Sequence, residues 1–97
     1  MDEQQFLARV TSDLENLAER IEAARDDAEV DLESGILTVI APGGTYVLNR
    51  HLPNREIWLS SPQSGAWHFA FQDGAWRSTR PPAAELVALL EGELGPF

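Results

Sequence analysis

The sequence predicts an α+β fold, a two-layer α/β sandwich in which the N- and C-terminal helices pack on one face of a six-stranded antiparallel sheet. Two observations predict it. Apolar residues recur every three or four positions at both ends of the chain, and six short β-prone segments joined by turns of hairpin length lie between them. With 97 residues, 43% of them hydrophobic, the chain is expected to form a single domain spanning residues 1–97.

The first element is predicted to be an amphipathic helix from Glu3 to Ala24. Asp2 is placed to cap its N-terminus, and Gln5, three residues later, completes a capping box. The apolar side chains recur at helical spacing and therefore share one face. They are Phe6, Val10, Leu14, Leu17, Ile21 and Ala24.

Six strands are predicted between residues 28 and 78. Turn signals separate them, among them Ser34-Gly35, Pro42-Gly43-Gly44 and Asp73-Gly74. Because the connections are so short, the strands are expected to pair in chain order as an antiparallel meander. The predicted strands are 28–33, 36–40, 46–50, 56–60, 66–71 and 75–78.

The last element is predicted to be a second helix from Pro82 to Leu94. Leu86, Leu90 and Leu94 lie four residues apart and form its apolar stripe. A proline is favourable in the first turn of a helix, and Gly95-Pro96 provides the stop signal.

Acidic residues dominate the composition. Sixteen Asp and Glu against seven Arg give a net charge of −9, and eleven of the acids but only three of the Arg lie in residues 1–33. Nucleic acids and anionic membranes are therefore not expected as partners. The chain has no cysteine, which excludes disulfides and thiolate metal sites. A cytoplasmic location is expected, because no apolar stretch approaches the roughly 20 residues of a membrane span and the N-terminus is acidic.

Eight carboxylates are predicted to form an acidic ridge. Four share a stripe of the first helix, one follows the helix end, and three face away from the core on the first strand. The two rows merge if that strand lies at the sheet edge beside the helix. Such an open array suits hard cations, bound weakly and without a rigid shell. The alternative is a solvated face that serves solubility. The ridge residues are Glu15, Glu19, Glu22, Asp26, Asp27, Glu29, Asp31 and Glu33.

The helix-free face of the sheet is the second candidate site. If Ile57 and Leu59 face the core, alternation turns Trp58 toward water between Glu56 and Ser60. Tryptophan is enriched at binding hot spots, so this face is interpreted as a partner surface. The alternative is that the alternation is shifted by one residue and Trp58 belongs to the core. The same alternation exposes Asn49 and His68, the latter as a lone exposed histidine, and buries Trp67, Phe69 and Phe71; Trp76 is also assigned to the core.

No catalytic constellation is apparent. The glycines are scattered at turns without forming a phosphate-binding loop, and the hydroxyl residues show no nucleophile elbow. A Glu-x-x-His pair, which a helix-bundle di-iron centre requires, does not occur. We therefore predict no catalytic residue and do not expect an enzyme.

The centre of the sequence resembles the signature of frataxins. The matching stretches are Tyr46 to Arg50, Pro53 to Pro62 and Ser64-Gly65, and Ser34 to Val39, Gly74 to Trp76 and Glu85-Leu86 fit as well. The resemblance covers nearly the whole chain and implies the helix–sheet–helix sandwich reached above. In its compact length the chain looks like the bacterial, CyaY-type form of the family.

This resemblance implies an iron-binding protein of iron–sulfur cluster assembly. Frataxins bind Fe(II) and Fe(III) on an acidic ridge of the first helix and first strand, and they regulate a complex of cysteine desulfurase and scaffold protein. Seven of the eight carboxylates match that ridge and Glu33 is an addition, but the ridge is thinner where Ala23 and Ala24 replace an acidic residue common in the family. Asn49 and Trp58 match the family's partner-binding positions, Ser60 shares their face, and His68 lies where that surface often carries a polar or basic residue.

Three functions remain open at this stage. The first is an iron-binding regulator of cluster assembly, and the second is a pure interaction module whose metal binding, to iron or to other divalent cations, is incidental. The third is a weak ferroxidase, for which the sequence provides no built redox centre. A monomer is expected, and metal-dependent oligomerisation is left open.

Overall fold

The computed structural model describes all of residues 1–97 and consists of two helices and one sheet. The six strands pair antiparallel in chain order, β1-β2-β3-β4-β5-β6, which confirms the predicted meander. Neither helix combines the length and the apolar character needed to cross a lipid bilayer. The elements are α1 (Glu3–Ala24), β1 (Glu29–Glu33), β2 (Ile36–Ala41), β3 (Gly44–His51), β4 (Glu56–Ser61), β5 (Gly65–Gln72), β6 (Ala75–Ser78) and α2 (Leu86–Leu94).

Helix α1 has the predicted bounds because its first turn is capped. The Gln5 amide N–H donates to Asp2 Oδ1 at 2.8 Å, and the Asp2 amide N–H donates to Gln5 Oε1 at 3.0 Å, which completes the capping box. The predicted apolar stripe is buried except for Ala24, which is exposed where the helix ends. The stripe therefore fixes which face of α1 meets the sheet and which face remains in water.

A single core lies between the helices and the inner face of the sheet. Alternate strand residues point into it, as the period of two predicts, and both helices contribute their apolar faces. The fully buried strand residues include Leu37, Val39, Tyr46, Leu48, Ile57 and Phe69. The other face of the sheet carries no helix.

The two edges of the sheet differ. Ser34 and Gly35 have φ values of +52° and +77°, as a type I′ hairpin requires, so Glu33 and Ile36 close the β1–β2 hairpin as a hydrogen-bonded pair. The next bonded residue of β1 is Asp31, which leaves the backbone N–H and C=O of Val30 and Leu32 facing the open edge. The β6 edge is covered instead, because the Ser78 amide donates to the Ala84 carbonyl at 2.8 Å.

Helix α2 begins at Leu86, so the prediction of a start at Pro82 is wrong. Ser78 is the physical reason: its hydroxyl donates to the Pro82 carbonyl at 3.0 Å and accepts from the Ala84 amide at 2.9 Å. These bonds hold residues 82–84 against β6. Glu85 then caps the helix by accepting from the Ala88 amide at 3.0 Å.

The tryptophans predicted for the core differ in burial. Trp76 is 4% exposed and its indole N–H donates to Asp13 Oδ2 at 2.7 Å, which confirms it as core. Trp67 is only half-buried, because its indole N–H donates to Ser64 Oγ in the exposed β4–β5 loop at 2.9 Å. Phe71, also predicted to be buried, is half-buried and packs under the Arg9 guanidinium, 4.7 Å from its ring centroid.

A carboxylate on the last turn of α2 ties that helix to the sheet. Glu93 Oε1 accepts from Tyr46 Oη at 3.1 Å and from the Ser61 hydroxyl, and Glu93 Oε2 accepts from Ser64 Oγ at 2.6 Å. Burial and the neighbouring Glu93 carboxylate raise the pKa of the Tyr46 phenol. The network therefore joins α2, β3 and the β4–β5 loop through one side chain.

Candidate functional site: an acidic ridge and the open sheet face

The helix row of the ridge faces the open edge of the sheet. Its four carboxylates are all exposed, and the most N-terminal of them, Glu15, lines a cleft of about 350 Å³ together with Thr11, Leu32 and Ser34. Since that cleft runs between α1 and the end of β1, the row lies alongside β1. The row consists of Glu15, Glu19, Glu22 and Asp26.

The strand row lies on the other side of the same edge. Val30 and Leu32 turn toward the core, so the acidic residues of β1 point to the helix-free face, where they pair with β2 residues. β1 is the edge strand beside α1, the arrangement on which the merging of the two rows was made conditional. The two rows consequently flank the edge, one on each layer. The strand row is Glu29, Asp31 and Glu33, all exposed.

One predicted ridge residue is already paired. Asp27 accepts from Arg25 Nε at 3.1 Å and from Arg25 Nη2 at 3.0 Å, a bidentate arrangement at the end of α1. The hydrogen bonds and charge of Arg25 lower the pKa of the Asp27 carboxyl. The other seven ridge carboxylates form no ion pair and accept no side-chain hydrogen bond.

The ridge is an open array. No three His, Asp or Glu side chains are gathered closely enough to hold one metal ion between them. Its seven unpaired carboxylates provide hard oxygen ligands whose coordination sites are not consumed by the protein. The arrangement chemically suits hydrated hard cations held by one or two carboxylates each.

The positively charged side chain of Arg50, which the sequence did not assign to this region, lies at one end of the ridge. The Arg50 side chain packs over Gly35, where a Cβ atom would collide with it, and it lines the same cleft as Glu15. The Arg50 amide also donates to the Gly35 carbonyl at 3.1 Å. Because residue 35 is a glycine, the Arg50 side chain can lie at this end of the acidic edge.

The second candidate site is continuous with the strand row. The register places Glu33, Ile36, Asn49, Trp58 and His68 in one line across five strands of the helix-free face. With strands about 4.8 Å apart, three spacings of roughly 14 Å in total separate the Glu33 position from the Trp58 position. Asn49 and Ser60 are exposed on this face, as predicted, and Ile36 and Ile40 add apolar surface with 38% and 46% exposure.

Trp58 lies on the helix-free face but does not stand alone in water. Ile57 and Leu59 are 0% and 2% exposed, so the alternative in which Trp58 belongs to the core is wrong. The indole is half-buried between two imidazoles, with ring centroids 3.7 Å from His51 and 4.2 Å from His68. The prediction of a lone, exposed His68 is therefore corrected, since His68 is half-buried against Trp58.

Two residues of this site were given no role from the sequence, although alternation already placed one of them, Glu56, on this face. His51 covers one face of the indole, and Glu56 Oε1 accepts from Trp58 Nε1 at 2.8 Å. The signal was present: His51 lies two residues after Asn49 and Glu56 two residues before Trp58, so strand alternation places all four on one face. The stacking itself depends on the β3–β4 register, in which His51 pairs with Glu56.

Comparison with known proteins identifies relatives of this chain. The family model described as Frataxin-like domain matches residues 1–96. Among curated proteins, the iron-sulfur cluster assembly protein CyaY of Neisseria meningitidis is 35% identical over 81 residues, which cover 82% of this chain and 75% of the relative.

Solved structures show the same architecture. Frataxin from Psychromonas ingrahamii superposes with a TM-score of 0.83 over 97% of this chain and 89% of its own; at 22% identity this likeness concerns the fold alone. Trimeric frataxin from the yeast Saccharomyces cerevisiae is 35% identical, with a TM-score of 0.76 over 88% of this chain and 74% of its own. The yeast trimer complexed with ferrous iron is 36% identical, with a TM-score of 0.69 over 97% and 83%.

Proposed function

Because this chain belongs to the frataxin family, we propose that it acts in iron–sulfur cluster assembly as an iron-binding regulator of a cysteine desulfurase–scaffold complex. In this proposal the acidic ridge binds Fe(II) and Fe(III), and the helix-free sheet face contacts the complex. The protein itself is not an enzyme, it works in the cytoplasm, and it is a monomer in the absence of metal.

The observation that carries the proposal is the set of seven unpaired, exposed carboxylates on both sides of the β1 edge. Like charges at helical spacing destabilise α1 slightly, and within the ridge only Asp27 is relieved by an arginine. A surface that keeps four like charges on one helix stripe and three more on the adjoining strand is suited to attract cations. The yeast relative complexed with ferrous iron agrees with iron as the cation.

The geometry also supports a second use of the ridge. A strip of this charge attracts a basic protein surface, and the strand row shares its sheet face with Trp58. A partner that spans roughly 14 Å would therefore contact both Glu33 and Trp58. Its association rate should fall as salt concentration rises, because exposed charges are screened within about 8 Å at physiological ionic strength.

The test replaces Glu15, Glu19 and Glu22 together by Gln. Its matched control replaces Glu3 and Glu91 by Gln and Asp73 by Asn, which removes the same charge away from the ridge. We expect the ridge variant to lose most Fe(II) binding in an anaerobic titration and to bind the purified desulfurase–scaffold complex more weakly. The control should retain both properties.

The remaining outcomes separate the alternatives. Loss of iron binding with unchanged affinity for the complex would contradict the docking role of the ridge. Unchanged iron binding with weakened docking would favour the pure interaction module. Oxidation of Fe(II) by the wild-type protein faster than in protein-free buffer would instead support a ferroxidase.

A further inference from the structure

We infer that His51 and His68 are positioning residues, which clamp the indole of Trp58 in one orientation and thereby preform the partner surface. The inference rests on the proposed function only where it assigns Trp58 to the contact with a partner. The clamp itself is carried by the geometry of three rings from three adjacent strands, β3, β4 and β5.

The three rings form a nearly parallel stack. The planes of His51 and Trp58 differ by 11° at a centroid distance of 3.7 Å, and those of Trp58 and His68 differ by 7° at 4.2 Å. An aromatic side chain on an open sheet face ordinarily exchanges between rotamers in picoseconds to nanoseconds. Here the indole cannot turn about its side-chain torsions without displacing an imidazole on either side.

Glu56 completes the clamp. Its Oε1 atom accepts from Trp58 Nε1 at 2.8 Å and lies 3.9 Å from His68 Nδ1. The carboxylate therefore fixes the tilt of the indole and lies beside the His68 ring. His51 lies on the other side of the indole. Its Nδ1 atom is buried without a hydrogen-bond partner, so its ring is retained by packing alone.

This arrangement determines what a partner meets. Both faces of the Trp58 indole are covered by imidazoles, and its only polar atom is bonded to Glu56. The edge of the ring is what remains available. A complementary partner therefore provides an apolar slot for the edge of the ring. Recognition uses no hydrogen-bond acceptor for the indole N–H and no flat ring stacked on the face of the indole.

A clamped ring also contributes to affinity. Immobilising a side chain on binding carries an entropic cost equivalent to about 2- to 12-fold in a dissociation constant, and a ring that is already fixed avoids that cost. Removal of one imidazole should weaken binding within this range even though the imidazole need not touch the partner.

The experiment compares His51→Ala with His51→Phe, which restores an aromatic ring of similar size. The readout is the hydrogen-exchange rate of the Trp58 indole N–H by NMR, with the resonance assigned from its absence in Trp58→Phe. Thr45→Ala, an exposed substitution on the same sheet face, controls for general loosening of β3. The same variants, together with Trp58→Ala, are titrated against the purified desulfurase–scaffold complex.

We expect His51→Ala to exchange the indole N–H at least about fivefold faster and to bind about 2- to 12-fold more weakly. His51→Phe and Thr45→Ala should resemble the wild type in the exchange rate. An unchanged exchange rate in His51→Ala overturns the clamp. Faster exchange with unaltered binding by both His51→Ala and Trp58→Ala supports the clamp and contradicts the partner role of Trp58 instead.

Discussion

The guanidinium of Arg25 donates a hydrogen bond to each carboxylate oxygen of Asp27, with Nε–Oδ1 and Nη2–Oδ2 distances of 3.1 and 3.0 Å. The pair lies where α1 ends and the acidic edge continues into β1. The Arg25 side chain thus pairs with one carboxylate of a ridge whose other carboxylates are unpaired. A metal ion that binds at Asp27 must therefore compete with this guanidinium.

Releasing Asp27 should strengthen cation binding at this end of the ridge. We expect Arg25→Gln to bind Mn(II) or Fe(II) more tightly than the wild type, by a factor on the order of two, because exposed ion pairs are weak. Isothermal titration measures the change. Arg20→Gln is the matched control: it removes the same charge from α1, where Arg20 lies over the Phe97 ring and holds no carboxylate. Equal gains in both variants would show that only net charge matters.

Removing the Glu93 carboxylate should detach α2 from the sheet. Glu93→Ala leaves the hydroxyls of Tyr46, Ser61 and Ser64 without this acceptor, and Ser61 is buried. We expect the free energy of unfolding in urea to fall by about 1–3 kcal/mol. Glu91→Ala, one half-turn earlier, is the control and should change it by less than about 0.5 kcal/mol. Equal effects of the two substitutions would contradict the anchoring role of Glu93.

Tyr46 should make the fold sensitive to alkali. Burial and Glu93 raise the pKa of its phenol in the folded state, so the unfolded chain ionises first. The stabilisation is fully present below the unfolded pKa of about 10 and is lost as the pH rises through the folded pKa. Tyr46→Phe should flatten this decline in urea unfolding between pH 9 and 11. The assignment is simple, because the chain has one tyrosine and no lysine; a decline that persists in Tyr46→Phe would exclude it.

The same substitution should have opposite effects at two glycines. Gly35→Ala places a Cβ at φ +77° and against the Arg50 side chain, and should destabilise the fold by about 1–2 kcal/mol. Gly92→Ala lies within α2 with open space around it and should stabilise the fold by about 0.5–1 kcal/mol. Combining Gly35→Ala with Arg50→Ala should remove the collision and leave the backbone strain. Full recovery in that double variant would show that only the collision matters.

Periodicity was sufficient to predict most of the fold. The 3.6-residue stripe from Phe6 to Ile21 and the two-residue turns specify which faces are buried and which strands pair, because both are local properties of the chain. The start of α2 was missed for a different reason. There the hydroxyl of Ser78 binds residues 82–84, and this tertiary contact outweighs the local preference of Pro82 for a first helical turn.

The candidate sites were likewise predictable from the sequence only in part. Spacing predicted which carboxylates are exposed, since exposure follows from the face a residue occupies. Spacing did not predict that Arg25 binds Asp27, that Arg50 reaches over Gly35, or that His51 stacks on Trp58. These contacts depend on side-chain rotamers and on the meeting of separate strands, which a single sequence does not encode in any local pattern.

The unpaired backbone of Val30 and Leu32 has a consequence for colloidal behaviour. Two molecules that approached along this edge to build a continuous intermolecular sheet would bring two sets of Glu29, Asp31 and Glu33 together, and their mutual repulsion opposes such growth at neutral pH. Salt screens such exposed charges, so this repulsion weakens as the ionic strength rises. High ionic strength should therefore be the condition under which edge-to-edge association of this chain is least opposed.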